Sequence, residues 1–153
     1  MLDIPEVVAN KATVAGAEWW LDALPELIAD LEAAWDISVG RPYPGGTEAY
    51  VAEAVRGDGA LAALKLLVPR DRAVAASEIR VLELAAGRGC VALFESDVEH
   101  GALLLERLGP SMFELGIPIG QRHDLLCAAA AAMWQPWPER SAEFMTGAAK
   151  GQW

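Results

Sequence analysis

Between residues 17 and 34 apolar side chains recur at steps of three and four: Trp20, Leu24, Leu27, Ile28 and Leu31, with Trp35 just beyond. That spacing gathers them on one stripe of a helix. Pro25 falls inside the stripe, where it predicts a kink or the first residue of a second helix. After Trp35 the pattern changes to short segments cut by turn residues. Residues 36–39 read as a first strand, and "PYPGGT", Pro42 to Thr47, as a turn with two glycines. Residues 49–55 alternate weakly as a second strand. "RGDG", Arg56 to Gly59, is a tight hairpin signal. Residues 61–68 form a third strand, which Pro69 ends.

Helical spacing returns over residues 72–86, with Gly87 placed to end the helix in a left-handed conformation. Ala75, Glu78 and Leu82 share one face of it. "CVALFESD", Cys90 to Asp97, reads as a fourth strand, and "VEHG", Val98 to Gly101, turns the chain. "ALLLERL", Ala102 to Leu108, is a fifth strand ended by "GP". Residues 122–134 are helical, followed by the Pro-flanked "QPWPE" and a short polar tail. No internal repeat and no long linker separates two units.

The order is helix, three strands, helix, two strands, helix. Short turns join the strands on either side of the central helix. The expected fold is therefore α+β: a five-stranded antiparallel sheet with one helix packed across it, an N-terminal helix before it and a helical segment after it.

Composition narrows the function. The chain has 153 residues, enough for one domain with a real core, and 54% of them are hydrophobic, too many for a disordered chain. Twelve Lys and Arg face 22 Asp and Glu, a net charge of −10. Phosphate backbones and anionic membranes both need basic surface, so neither nucleic acid nor membrane is an expected partner. A nucleotide site needs only a few local donors and stays open. The apolar runs are far too short to span a bilayer, and the acidic opening "MLDIPEVVAN" has no signal-peptide core. Cys90 and Cys127 lack metal-ligand spacing and read as buried, reduced thiols of a cytoplasmic protein.

Lys65 is the residue that asks for chemistry. It interrupts the apolar run "ALAALKLLV" and shares a strand face with Leu61, Ala63 and Leu67. On a solvent face it would need no partner. On a buried face its ammonium must meet an anion. Glu78, on the helix that follows, is a candidate partner. A glycine pair lies in the turn between the first two strands, where backbone could approach a phosphate.

The run from "GRPYPGGTEAYVAEAVRGDGALAALKLLVP" to "SEIRVLELAAGRGCVALFESDVEHGALLLERLGP" resembles the first half of the aminoglycoside/hydroxyurea antibiotic resistance kinases, a family that includes streptomycin kinases. The resemblance covers about residues 20–134. It rests on the order of Gly45 and Gly46, the "DG" before the third strand, Leu64–Lys65, Glu78, "GRGCVALFESD" and "LLLERL". It implies a kinase-like N-terminal lobe at residues 1–108 and a connector with the start of a helical second lobe at 109–153. It further implies that Lys65 holds the phosphates of ATP and that Glu78 orients Lys65. Gly45, Gly46 and Thr47 would cover the phosphates. Glu106, Arg107 and Leu108 would form the connector whose backbone meets adenine. The turn lacks the GxGxxG of protein kinases.

The catalytic aspartate and the magnesium ligands of this family lie in a "HGD…N" loop and a later aspartate, and neither occurs here. "RHDLLC" is only a superficial match, so His123 and Asp124 are expected on a helix surface. Mg2+ is expected only together with the second lobe. The implied activity is phosphorylation of a hydroxyl on an aminoglycoside-like acceptor, with the catalytic half elsewhere. The alternative is a non-catalytic module that binds nucleotide or dimerises. An apolar surface meant for a second lobe would favour a homodimer or a second chain. In an unrelated α+β domain, Lys65 and Glu78 would be at most a surface ion pair, worth about 0–1 kcal/mol.

Overall fold

The computed structural model describes residues 2–44, 48–70 and 72–134. The strands β1 (Ile37–Pro42), β2 (Ala49–Arg56), β3 (Leu61–Leu67), β4 (Leu93–Asp97) and β5 (Ala102–Glu106) form one sheet in the order β1-β2-β3-β5-β4. Every neighbouring pair is antiparallel. This is the α+β architecture the sequence predicts. The helices are α1 (Glu6–Val14), α2 (Glu18–Trp35), α3 (Arg72–Ala85) and α4 (Ile119–Met133).

Helix α2 forms because its apolar stripe has somewhere to go. Trp20, Leu24, Ile28 and Leu31 are all buried against one face of the sheet. Pro25 does not start a second helix, one of the two expectations from sequence; α2 runs through it. It sits on the exposed flank, where water can meet the carbonyl left without an N–H donor. Asp36 ends the helix in a left-handed conformation, φ 49°. Helix α1 was not expected. It buries only Val8 and Ala12, one turn apart, and so leaves almost no periodic signal.

The strand boundaries shift by a few residues. β1 runs on to Pro42 across an irregular register between Val39 and Pro42, which an edge strand tolerates. β4 begins at Leu93 rather than Cys90. β5 stops at Glu106, so Arg107 and Leu108 lie beyond the sheet.

Alternation along β2, β3 and β5 separates two cores. Tyr50, Ala52, Ala54, Ala62, Leu64, Leu66, Ala102 and Leu104 face α1 and α2. Ala49, Leu67, Leu103 and Leu105 face the opposite way, onto Ala75, Ile79 and Leu82 of α3. The second set is where the site lies.

Helix α4 starts after Pro118, three residues earlier than expected, and buries none of its residues. Leu125, Leu126 and Cys127 are exposed, and Cys90 is half-buried, so neither thiol is enclosed as expected. Its far end lies against the loop after α3. A Cβ on Gly89 would fall 2.0 Å from the Ala129 carbonyl oxygen, and φ of Gly89 is +70°, so only glycine fits there. No helix among the described residues is long and apolar enough to cross a membrane. The expected "QPWPE" segment and polar tail lie outside the described residues.

Candidate nucleotide site

The site is built on the strand alternation. On the α3 side of the sheet, Val51, Lys65 and Leu103 form one cross-strand row. Glu53, Ala63 and Leu105 form the next. Lys65 therefore leaves the sheet among apolar neighbours and beneath α3. Glu78 comes down to meet it because it shares a helix face with buried Ala75 and Leu82, which fix how α3 sits.

Lys65 Nζ donates to Glu78 Oε1 at 2.6 Å. The side chains are 26% and 31% exposed, so both charges are partly withdrawn from water. A lone ammonium in that position would be costly, and the short charge-assisted bond answers it. One oxygen of the carboxylate thus fixes the lysine, while the ammonium keeps two further protons for another anion. Lys65 is thus not the unpartnered lysine of a solvent face.

A cavity of about 880 Å³ opens beside the pair. Lys65, Glu78, Leu67 and His100 line it together with Trp19 and Leu27 of α2. It lies toward the β4–β5 turn, away from the connector. Trp20 is in the core at 3% exposure, while Trp19 is an exposed wall of this cavity at 63%. Glu48 holds one rim through ion pairs with Lys11, at 2.8 Å, and with Arg70. Among the described residues no group of three or more His, Cys, Asp or Glu could hold a metal ion.

The β4–β5 turn is built around Asp97. Its Oδ1 accepts the Glu99 and His100 backbone N–H groups, and its Oδ2 lies 2.7 Å from His100 Nδ1. Burial pushes the Asp97 carboxyl up, but the hydrogen bonds from the His100 ring, His100 N–H and Glu99 N–H outweigh it. The group is held below its ordinary value. His100 is thus exposed, as expected of a turn residue, yet tied to the turn.

The connector residues separate. Glu106 is the last residue of β5. Its N–H donates to the Ala92 carbonyl at 2.8 Å, and its carboxylate accepts the Ala92 N–H at 3.1 Å. Its amide is thus engaged within the sheet edge. Arg107 follows at the end of the β3–β5 ladder, next to the Ala62–Glu106 pair, and the N–H and C=O of Leu108 beyond it make no hydrogen bond among the described residues. Arg107 Nη2 donates to Glu53 Oε1 at 2.9 Å, 54 residues away in sequence. The expected phosphate-covering turn, Gly45, Gly46 and Thr47, lies outside the described residues. His123 and Asp124 are exposed on α4, as expected.

Sequence reasoning brought Lys65 and Glu78 together correctly but missed Glu53. The signal was there: an acidic residue in the middle of "AYVAEAVR", a strand apolar up to its last residue but for Glu53, poses the same question as Lys65.

An antiparallel sheet whose third strand gives a lysine to the glutamate of a helix laid across it is the architecture of a kinase-like small lobe. Residues 35–147 match the model of the aminoglycoside/hydroxyurea antibiotic resistance kinases, and the chain belongs to that family. It is 42% identical over 106 residues to a hydroxyurea phosphotransferase of Kitasatospora aureofaciens, a match covering 69% of this chain and 30% of that protein. It is 35% identical over 114 residues to a streptomycin 6-kinase of Streptomyces glaucescens, covering 72% of this chain and 36% of the relative. A streptomycin 6-kinase of Streptomyces griseus is 33% identical over 113 residues, with the same two coverages. The chain spans about a third of the length of these relatives.

Proposed function

We propose that this chain is the ATP-binding lobe of a cytoplasmic phosphotransferase that transfers phosphate to a hydroxyl of an antibiotic-like acceptor. The observation that carries the reading is the 2.6 Å Lys65–Glu78 pair on the α3 face of the sheet. Lys65 would neutralise phosphate oxygens, and Glu78 would keep its ammonium in place as they bind. Gly45, Gly46 and Thr47 would cover the phosphates. The connector after β5 would meet the base, through the N–H and C=O of Leu108 rather than the engaged amide of Glu106.

ATP, when bound, would supply the phosphoryl group, Mg2+ would offset part of its negative charge, and Lys65 would neutralise some of the rest. What these residues do is bind and orient the nucleotide. Residues 1–108 form the nucleotide lobe in this reading, and 109–153 begin a helical second lobe. The aspartate that accepts the acceptor's proton and the magnesium ligands would lie outside these 153 residues. The relatives' names point to streptomycin-like or hydroxyurea-like acceptors.

A second reading is favoured by the apolar α4, which exposes Leu125 and Leu126 and buries nothing. Here the lobe is a non-catalytic module that binds nucleotide or dimerises through that surface. Thermal melting with and without Mg-ATP tests the first reading. An adenine nucleotide that binds only the folded chain raises the midpoint in a concentration-dependent way. A midpoint that ignores Mg-ATP up to millimolar concentrations leaves the dimerising form of the module reading in its place.

A further inference from the structure

Glu53 shares a face with Lys65 but stands one row nearer the connector. Rows on one face of a strand are about 6.6–6.8 Å apart. Its partner, Arg107, leaves the chain just after β5, on the far side of β3. The ion pair therefore crosses β3 on the α3 face, spanning two strand spacings, about 9.6 Å. Two small residues make the crossing possible. Ala63, directly opposite Glu53 in the β2–β3 register, raises only a methyl group beneath the path. Gly40 of β1 leaves room on the other flank, where a Cβ would stand 3.3 Å from Glu53 Cβ and 3.5 Å from its Oε2.

The start of the connector is thus held from two sides. Glu106 ties it to Ala92 ahead of β4, and Arg107 ties it back to β2. Just beyond these ties, the N–H and C=O of Leu108 have no partner among the described residues. A ligand with its phosphates at Lys65 and a heterocycle at those peptide groups would have to pass along this ion pair.

We propose that Glu53 is a positioning residue for the base half of the nucleotide site. Through Arg107 it fixes the connector's peptide groups at a set distance from Lys65, so that a purine base and its triphosphate are held together. The inference rests on the nucleotide reading above and assigns it a residue that acts on one half of the ligand only. Glu53 touches Arg107, and the ligand feels it as connector placement. Loss of the pair frees the connector, and base binding then carries the cost of ordering it.

The test is calorimetric titration of the full chain with two probes, Mg-ATP and Mg-tripolyphosphate, on wild type and Glu53→Gln. The variant loses about three- to tenfold in ATP affinity, the scale of one partly withdrawn ion pair, and keeps its tripolyphosphate affinity. Exchanging the charges, Glu53→Arg with Arg107→Glu, restores ATP binding. Glu53→Asp keeps the charge but falls short of Arg107, and gives the same split if Glu53→Gln does not fold. Unchanged ATP affinity overturns the proposal, as does an equal fall with both probes. A folded wild-type chain that binds neither probe overturns the nucleotide reading itself, and this inference with it.

Discussion

The two faces of the sheet are built from the same strands and have opposite characters. Toward α1 and α2, Leu64, Leu66, Ala62, Tyr50, Ala52, Ala54, Ala102 and Leu104 are each at most 1% exposed, and none carries a charge. Toward α3, the intervening residues Val51, Glu53, Ala63 and Lys65 are only half-buried, and two of the four are charged. One face is a core and the other is a platform. A period of two lets adjacent residues of β3, Leu64 and Lys65, serve stability and binding separately. The helices complete the division: α2 seals its face with a long apolar stripe, whereas α3 covers only the β5 side of the other and lowers a glutamate onto Lys65.

That division is broken most severely at Leu64, which is fully buried among α1–α2 core residues. Leu64→Ala is expected to cost about 2–5 kcal/mol, by lost transfer energy and a cavity. Denaturant unfolding should show this as a lower midpoint with little change in slope. If Leu64→Ala lowers stability by less than about 2 kcal/mol, the floor for a buried leucine, the sealed-core description is wrong.

Its neighbour should behave in the opposite way. Lys65→Leu is expected to shift stability by less than about 1 kcal/mol in either direction. The lost ion pair is partly withdrawn from water, and an apolar side chain fits among Val51 and Leu103. A loss at Lys65 as large as that at Leu64 would make the pair a fold element rather than a binding element.

A sharper probe of the sealed face is Tyr50. Its hydroxyl is buried with no hydrogen-bond partner among the described residues, and burial, then the nearby Asp3 charge, pushes its pKa up. Tyr50→Phe removes a polar atom that the face does not use. It should therefore leave stability within about 1 kcal/mol of wild type, with the sign toward stabilisation. A loss of about 2 kcal/mol or more would reveal an anchor for that hydroxyl.

The smallest effect is local and lies at the platform's end. The folded-state pKa of Asp97 is lowered, so its contribution to stability is present above the ordinary carboxylate value of 3.8 and is lost as pH falls through the lowered value. The amide resonances of Glu99 and His100 should titrate together in that acidic window, while those of β3 stay put. Amides that do not respond below the ordinary carboxylate range would mean that Asp97 does not organise the turn.

The legible parts of the fold were those with strong periodicity or strong punctuation. The α2 stripe, the "RGDG" hairpin and the Pro69 stop all fall where the sequence places them, and the five-stranded antiparallel sheet follows from their order. Helix α1 was hidden because two buried positions make no pattern. Pro25 does not begin a new helix because its cost depends on which flank it occupies, which only the packing of α2 decides. The end of β5 misled because Leu108 resumes the apolar pattern two residues past the last paired residue, Glu106. For the site, Lys65 and Glu78 were readable from one charge in an apolar strand and one helix face. Glu53–Arg107 was not, because the pairing joins residues 54 apart through the placement of β5 beside β3.

The most direct test of the platform is calorimetric titration of the 153-residue chain with Mg-ATP, for wild type, Lys65→Ala and Leu64→Val. Ile-to-Val-sized trimming at Leu64 is mild enough to keep the fold, so it controls for the sealed face. The expected result is saturable binding by wild type and Leu64→Val, and its loss in Lys65→Ala while that variant remains folded. Equal binding by all three, or none by a folded wild type, would contradict the assignment of the Lys65–Glu78 face to nucleotide phosphates.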